Sequence, residues 1–298
     1  MGRENGDIHQ GERVDVALVG AGIEHSLSPA LHEREGELLG FDYRYRLLDL
    51  GELAGDGAHV TEAVQRARTD GLRGLNVTHP CKRLVVGAMD RLSPEAAALG
   101  AVNTVVFTAH GIEGHNTDVS GFRDAFAAGL PGAAVDRVVV VGAGGAGSAV
   151  AYALLGLDAG QVRIVDSDRD QAQELAAKLA EHFGPGRAVA AEDLDQSLAD
   201  ANGLVHATPT GMGGGDDSAV DPALLYPRLW VAEVVYVPLD TQLLRDARDA
   251  GCTTLDGGGM VAAQAAGSLE LFTGVAPNRE RMAAHMADLV AGQREVAR

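Results

Sequence analysis

Residues 138–147 read VVVVGAGGAG, an apolar run followed by glycines at 142, 144 and 147. A continuous apolar run is typical of a parallel strand that is buried on both faces. The spacing G-x-G-x-x-G after such a strand marks the turn into a helix whose N-terminus binds a dinucleotide pyrophosphate. The stretch therefore predicts a Rossmann domain, and it assigns the cofactor-binding backbone to six residues: Gly142, Ala143, Gly144, Gly145, Ala146 and Gly147.

The acidic residue that completes this motif is expected about 20 positions after the glycines. Asp166 lies 19 positions after Gly147, directly behind a second apolar strand. Its carboxylate can accept hydrogen bonds from ribose hydroxyls, and its charge would repel a 2′-phosphate. Ser167 and Asp168 follow, and Arg169 is the only nearby cation. We therefore predict NAD rather than NADP; a glycine-rich turn without a ligand is the alternative.

Short β-branched runs alternate with helical stretches along the chain, and this alternation predicts an α/β fold with mostly parallel sheets. One block runs from Val14 to His115, and a second begins near Asp118. Boundaries are expected at 116–118 and at 256–259. The last helices must then pack back onto one of the two halves.

The composition excludes several classes of function. The 298 residues include 42 acidic and 24 basic side chains, which gives a net charge of −18. This charge argues against nucleic acid and against an anionic membrane surface as partners, because both require a basic footprint. No apolar run is long enough to span a membrane, and the first residues do not form a signal peptide. We expect a small-molecule substrate and a monomer or homodimer.

Metal-binding and disulfide patterns are missing from the sequence. Cys81 and Cys252 are the only cysteines, too few for a disulfide framework or a four-cysteine zinc site. The ten histidines contain no H-x-x-x-H pair, which a helical metal site would favour. We therefore expect no metal and a reducing, cytoplasmic location.

Two serines stand at the start of a predicted helix. Ser26 and Ser28 precede Pro29, a residue suited to the first turn of a helix. One interpretation is that Ser28 caps the helix. The other is that both hydroxyls donate hydrogen bonds to a substrate anion at the helix N-terminus.

A lysine follows the strand end in GLNVTHPCK (residues 74–82). Lys82 is either a solvated helix cation or a group that transfers a proton. His79 is an alternative base, because histidine exchanges protons near neutral pH. The spacing of Lys82 and His79 in the sequence does not decide which of them transfers the proton.

Polar residues also end two strands farther along the chain. GAVNT (100–104) contains Asn103, and GHNTD (114–118) contains Asn116 and Asp118. These side chains either form Asx turns and helix caps or recognise ring hydroxyls, with Asp118 beside Lys82.

The motifs as a set resemble the shikimate dehydrogenase family in order and spacing from about residue 14 to about residue 290. The matching stretches are GxxxxHSLSPxxH, GLNVTHPCK, GAVNT, GHNTDVSGF, GAGGAG, HATPTGM, VVYVPLDTxLL and DGGGMVAAQAA. The NVTHPCK and YVPLDT variants resemble the quinate/shikimate dehydrogenase branch that uses NAD. The resemblance implies reversible oxidation of the C3 hydroxyl of shikimate to 3-dehydroshikimate.

The resemblance also implies domains and residue roles. The implied domains are a substrate domain (13–117 with 258–298) and a Rossmann NAD-binding domain (118–257), after a flexible tail (1–12). Lys82 would be catalytic with Asp118 as its partner, and Ser26 and Ser28 would hold the substrate carboxylate. The other matching positions are Thr78, Asn103 and Gln264 for ring hydroxyls, Tyr236 near the carboxylate, and Thr208, Val234 and Gly257 along the nicotinamide.

Two positions depart from common patterns of that family. NADP-using members carry N-R-T-x-x-R where this chain has Asp166-Ser167-Asp168 and then Gln171, which supports NAD. Quinate-preferring relatives can carry S-x-T where this chain has two serines, so shikimate is expected first and quinate second. An aminoshikimate or other cyclitol dehydrogenase is the alternative activity, and a non-catalytic NAD sensor is a more remote one.

Overall fold

The computed structural model describes residues 11–214 and 217–296. The chain divides into two compact units. The first contains the described residues up to Thr117 together with Ala262–Met286, and the second contains Asp118–Val261 and the chain from Ala287 onward. Of the predicted tail 1–12, residues 1–10 lie outside the described part. The next two residues are joined to the fold, because Gly11 N–H donates to the Gly40 carbonyl and the Glu12 carbonyl accepts from Asp42 N–H.

The first unit contains a six-stranded sheet in the order β2-β1-β3-β5-β6-β4. Strands β2, β1 and β3 are parallel, whereas β5 is antiparallel to both of its neighbours. The elements are β1 (Arg13–Gly20), α1 (Ser28–Leu38), β2 (Asp42–Asp49), α2 (Gly57–Thr69), β3 (Gly74–Val77), α3 (Cys81–Leu84), β4 (Arg91–Leu92), α4 (Pro94–Leu99), β5 (Thr104–Thr108) and β6 (Gly111–His115).

The second unit contains a fully parallel six-stranded sheet in the order β12-β11-β10-β7-β8-β9. Its elements are α5 (Thr117–Gly129), β7 (Arg137–Val141), α6 (Gly145–Gly156), β8 (Gln161–Val165), α7 (Arg169–Phe183), β9 (Ala188–Ala190), α8 (Leu194–Leu198), β10 (Gly203–His206), β11 (Trp230–Glu233), α9 (Gln242–Asp249) and β12 (Thr253–Leu255). Two final helices, α10 (Gly258–Thr273) and α11 (Arg279–Val296), each have residues in both units.

The predicted α/β class with mostly parallel sheets is confirmed. The sequence analysis missed three short elements, β4, α4 and β12, because each is too short to show a periodic pattern. The unit boundaries also differ slightly from the predicted ones: the first unit takes up α10 from Ala262 rather than from Gly258, and the end of α11 is grouped with the second unit.

Close packing in the first unit joins α1 to β2 and α10 to the sheet. A side chain at Gly36 would meet the Tyr43 ring, so α1 can approach β2 closely only with glycine there. Arg73 Nε donates to the Phe272 carbonyl at 2.9 Å, and the Phe272 ring packs against Gly74. These contacts hold α10 on the sheet although about 200 residues separate the partners in sequence.

The second unit is built around its central strand β7. Val138, Val139 and Val140 are completely buried, as expected for a parallel strand covered on both faces. On the neighbouring strands the Trp230 ring lies over Gly203, where any side chain would collide with it. The buried Trp230 indole donates to the Ala134 carbonyl at 2.8 Å, so its polar atom is satisfied.

Candidate active site

In the first unit, the strand directions bring the predicted substrate residues to one edge of the sheet. The parallel strands β1 and β3 end there, and the antiparallel β5 begins there. Thr78 therefore follows β3 at the edge where Asn103 precedes β5. Val77 N–H donates to the Asn103 carbonyl, and Val102 N–H donates to the Lys82 carbonyl, both at 2.8 Å. The structure thus brings Thr78, Lys82 and Asn103 together.

The serine loop follows β1 at the same edge. A Cβ on Gly20 would lie 3.1 Å from the His79 carbonyl oxygen and would collide with the Thr78 methyl group, so the turn after β1 lies directly against Thr78. Ala21 N–H donates to the same His79 carbonyl. His79 itself is exposed, whereas Lys82 is half-buried.

Ser28 does not cap α1. The N-cap position is Leu27 and makes no side-chain bond, so the capping interpretation of Ser28 is wrong. Instead, Ser26 Oγ accepts the Ser28 N–H at 3.3 Å, which closes a local serine turn. Both serines remain partly exposed at the start of the helix, where a helix favours an anion.

Asp49 shapes this loop, and the sequence analysis did not identify it. Its carboxylate accepts the backbone N–H groups of Gly22 (3.3 Å), Ile23 (3.0 Å) and Gly51 (2.8 Å). These backbone hydrogen bonds, led by the one from Gly51, lower the pKa of Asp49 below its ordinary value. An aspartate at the end of an edge strand gives no sign in the sequence that it organises a loop 27 positions earlier.

Asn103 is held rigidly by its neighbours. Its Oδ1 accepts the Thr117 N–H at 2.8 Å, and its Nδ2 donates to Thr117 Oγ1 at 2.9 Å. Thr104 Oγ1 also donates to Asn103 Oδ1 at 3.0 Å. The carbonyl side of this amide is therefore saturated within the protein.

Asn116 has an unusual environment. Its Nδ2 donates to the Ala101 carbonyl at 3.0 Å. Its Oδ1 is buried and has no hydrogen-bond partner within the described part of the chain. A buried acceptor left unpaired costs about 1–3 kcal/mol.

In the second unit, the glycine turn has the geometry that a pyrophosphate requires. Gly142 has φ +109° and lies against the Ala207 carbonyl oxygen, which would be 2.7 Å from an added Cβ. A Cβ on Gly147 would collide with the Gly142 carbonyl. Gly144 differs, because a Cβ there would meet nothing within 4 Å. The protein itself therefore does not require glycine at 144, whereas the close approach of a ligand does.

The α6 N-terminus completes this turn. The helix begins with the bond from Ser148 N–H to the Gly144 carbonyl, so the N–H groups of Gly145, Ala146 and Gly147 have no helical acceptor. They are the donors that bind a phosphate at a helix N-terminus. The residues present therefore fit a dinucleotide.

Asp166 fixes the turn and keeps acceptor capacity. Its Oδ2 accepts the Ala143 N–H at 2.6 Å and its Oδ1 accepts the Asp168 N–H at 2.8 Å. The Ser167 hydroxyl also donates to Oδ1 at 3.4 Å, so the second lone pair of Oδ2 is the one that can accept a ribose hydroxyl. Asp168 caps α7, and the nearby Arg169 is paired with Glu192 at 3.0 Å. The charges next to the ribose position are therefore negative.

The residues expected along the nicotinamide follow neighbouring strands of the same sheet. Thr208 follows β10, and its methyl group lies 3.1 Å from the Cβ position of Gly142. Val234 follows β11, and Gly257 lies against the Val234 carbonyl, 2.5 Å from an added Cβ. Between β7 and β10 the strand order reverses direction, and the crevice at such a switch point is where ligands bind in open α/β sheets.

The other predicted residues are placed by their own units. Asp118 is the second residue of α5, Gln264 lies half-buried on α10, and Tyr236 is partly buried behind β11. Burial raises the pKa of the Tyr236 phenol. The pairing of Asp118 with Lys82 remains a prediction.

Neither metal-binding clusters nor membrane-spanning helices occur in residues 11–214 and 217–296. No cluster of three or more histidine, cysteine, aspartate or glutamate side chains in these ranges could hold a metal ion. None of the helices there is long and apolar enough to cross a membrane. Cys81 and Cys252 are both buried and unpaired with each other.

Comparison with known proteins gives two family matches. Residues 18–105 match the shikimate dehydrogenase substrate binding domain. Residues 115–210 match the C-terminal domain of alanine dehydrogenase/PNT.

Relatives match nearly the whole chain. A shikimate dehydrogenase (NADP(+)) of Streptomyces avermitilis is 55% identical and covers 92% of this chain and 95% of its own. A quinate/shikimate dehydrogenase (NAD(+)) of Corynebacterium efficiens is 43% identical over 92% of this chain and 98% of its own. Among solved structures, the quinate dehydrogenase of Corynebacterium glutamicum in complex with NAD matches with a TM-score of 0.86 and 41% identity, covering 92% of this chain and 98% of its own.

Proposed function

The chain belongs to the shikimate dehydrogenase family, and from this we propose that it catalyses the reversible, NAD-dependent oxidation of the C3 hydroxyl of shikimate to 3-dehydroshikimate. Quinate, oxidised to 3-dehydroquinate, is proposed as a second substrate. The observation that carries the proposal is the gathering of the serine loop, Thr78, Lys82 and Asn103 at one edge of the first sheet.

Each group at this edge suits one part of the substrate. Ser26 and Ser28 offer hydroxyls at a helix N-terminus, which matches a carboxylate. Asn103 lies at the same edge, and we assign it to a ring hydroxyl of the substrate. Thr78 supplies a hydroxyl beside Lys82. A small polyhydroxylated carboxylic acid satisfies all of these groups.

The reaction needs a base near the C3 hydroxyl. We assign this role to the Lys82 amine, which would take the hydroxyl proton during oxidation and return it during reduction. The Asp118 carboxylate would orient that amine. A bound nicotinamide supplies the hydride acceptor for the C3 hydrogen.

The preference for NAD rests on charge. Asp166 and Asp168 are both carboxylates beside the expected ribose, and the nearby Arg169 forms an exposed ion pair with Glu192. The negative charge of a 2′-phosphate would therefore be repelled by these two carboxylates. Relatives with either cofactor in their names are similar to this chain, so the local charges rather than overall similarity support NAD.

A direct assay tests this proposal. The purified protein is mixed with NAD or NADP and with shikimate or quinate, and the absorbance of the reduced cofactor is followed. We expect the highest kcat/KM for NAD with shikimate and a lower value for NAD with quinate. Cofactor binding without turnover would instead identify an NAD sensor, and activity only with an amino or other cyclitol substrate would replace shikimate.

A further inference from the structure

A buried acid–base pair lies beside the dinucleotide cleft and has no role in the proposed reaction. His206 ends β10 and Glu233 ends the neighbouring strand β11. Their side chains are 1% and 0% exposed. His206 Nδ1 lies 2.8 Å from one Glu233 oxygen and 3.0 Å from the other. Burying two ionisable side chains is costly unless each is fully hydrogen-bonded.

Glu233 is fully hydrogen-bonded, because both of its oxygens accept further hydrogen bonds. Its Oε1 accepts the Val235 N–H at 3.0 Å, and its Oε2 accepts the Thr241 hydroxyl at 3.1 Å. The carboxylate therefore ties together the end of β11 and the first turn of α9, where Thr241 is the N-cap. With both oxygens accepting, the proton between Glu233 and His206 lies on Nδ1.

The other ring nitrogen of His206 points to the cofactor-binding loop. Nε2 forms a short hydrogen bond with Thr208 Oγ1. The Thr208 hydroxyl in turn donates to Thr210 Oγ1 at 3.1 Å and accepts the Thr210 N–H at 3.3 Å. Thr208 also lies against Gly142 at the switch point of the sheet. A continuous chain of hydrogen bonds thus runs from Glu233 through His206 to Thr208.

We propose that His206, anchored by Glu233, is a positioning residue that fixes the Thr208 hydroxyl for the nicotinamide cofactor. This inference rests on the proposed function in one respect, since it takes Thr208 as a group that contacts that cofactor. Because the Thr208 hydroxyl donates its hydrogen to Thr210 Oγ1, its oxygen accepts from His206 Nε2 and is held between the two side chains.

Two substitutions at His206 separate its contact with Glu233 from its contact with Thr208. His206→Asn keeps a nitrogen near Glu233 but is too short to reach Thr208. His206→Gln is longer and can reach Thr208. We expect His206→Asn to raise the KM for NAD about three- to tenfold, the size of one hydrogen bond, and His206→Gln to raise it less. The KM for shikimate at saturating NAD should not change.

A double-mutant cycle tests whether His206 acts through Thr208. After Thr208→Val, a further His206→Asn change should not raise the KM for NAD again, because the group that it positions has gone. Glu233→Gln replaces an acceptor oxygen with an N–H donor. Its effect on the KM for NAD should also disappear when Thr208→Val is present. Additive effects would overturn the proposal.

Tyr226→Phe is the matched control. It removes two partly buried hydrogen bonds within the same unit, from the Tyr226 hydroxyl to the carbonyls of Leu198 and Ala201. Both acceptors precede β10 in the chain, whereas Thr208 follows it. We expect this variant to keep the KM for NAD. If it shifts that KM as much as His206→Asn does, the effect is one of stability and the proposal fails.

A spectroscopic measurement completes the test without using activity. The hydrogen between His206 Nδ1 and Glu233 should give a strongly downfield proton resonance that is lost in His206→Asn. Saturating NAD should shift this resonance in the wild type and not in Thr208→Val. An unchanged resonance in a protein that demonstrably binds NAD refutes the inference alone, whereas failure to bind NAD refutes the proposed function.

Discussion

Lys82 and Arg83 are neighbouring cations on α3, and this allows a controlled test of the proposed base. Lys82 is half-buried and Arg83 is exposed. Lys82→Ala should lower kcat by roughly 10²–10⁴-fold with a smaller change in KM, because it removes the proton-transfer group. Arg83→Ala should retain wild-type kcat. If His79→Ala shows the large loss instead, the exposed histidine is the base and Lys82 is not.

Asp166 provides a second test at the scale of one residue. Asp166→Asn keeps an acceptor for the Ala143 N–H but removes the negative charge beside the ribose. We expect kcat/KM for NAD to fall about tenfold or more, the size of a lost charged hydrogen bond, and kcat/KM for NADP to fall less or to rise. Asp170→Asn, an exposed carboxylate on α7, is the control. Equal losses with both cofactors would remove the charge argument for NAD.

Residues within local motifs could be named from the sequence, and residues that support them could not. The glycine turn and Asp166 follow each other at a fixed spacing, so the sequence alone reveals their chemistry. Asp49 and Glu233 act on loops that only the sheet order brings near them. A strand-end carboxylate looks the same in the sequence whether it is solvated or holds a loop.

The packing of α1 on β2 leads to a prediction on pH and stability. His32 is buried between Tyr43 and Tyr45, with its ring 4.8 Å from that of Tyr45 and its Nδ1 3.4 Å from the Tyr43 hydroxyl. Burial lowers the pKa of His32 from 6.5 to about 3. Between pH 6.5 and about 3, the unfolded chain therefore binds a proton at His32 that the folded chain does not. The stability associated with neutral His32 is fully present above pH 6.5 and decreases as the pH falls toward 3.

Urea unfolding of the wild type and of His32→Gln measures this effect. As the pH falls below the histidine's ordinary pKa, the free energy of unfolding of the wild type should decrease relative to that of His32→Gln by about 1.4 kcal/mol for each pH unit. Other acid-sensitive groups contribute equally to both proteins and cancel. A difference that stays constant with pH would show that His32 is not held neutral.

The helix contacts also show where sequence reasoning at the element scale stops. Periodicity and turn residues predicted most helices and strands, because those signals are local. The buried Glu35 of α1 accepts two hydrogen bonds from Arg281 of α11, at 2.8 and 2.6 Å, and one from Asn278 N–H at 2.8 Å. Glu35 and Arg281 are 246 positions apart, and neither lies in a recognisable motif. Such a pair could not be predicted without the fold.

At the scale of the whole molecule, the division into two units predicts that the two ligands protect different parts of the chain. A ligand that binds only the folded state stabilises the segments that it contacts. In hydrogen exchange, NAD alone should slow exchange in peptides covering 142–148 and 206–212 of the second unit. Shikimate alone should slow exchange in peptides covering 20–28 and 76–84 of the first.

The strand edges are the reason for this separation. The glycine turn and Thr208 follow β7 and β10 of the second sheet, whereas the serine loop and Thr78 follow β1 and β3 of the first. A segment that no ligand should contact, such as α2, serves as the internal control, since global stabilisation would slow its exchange together with the rest. Protection of 20–28 by NAD alone, with none at 142–148, would reverse the proposed roles of the two units. Protection by each ligand at its own sheet edge would instead assign substrate and cofactor to separate units, as proposed.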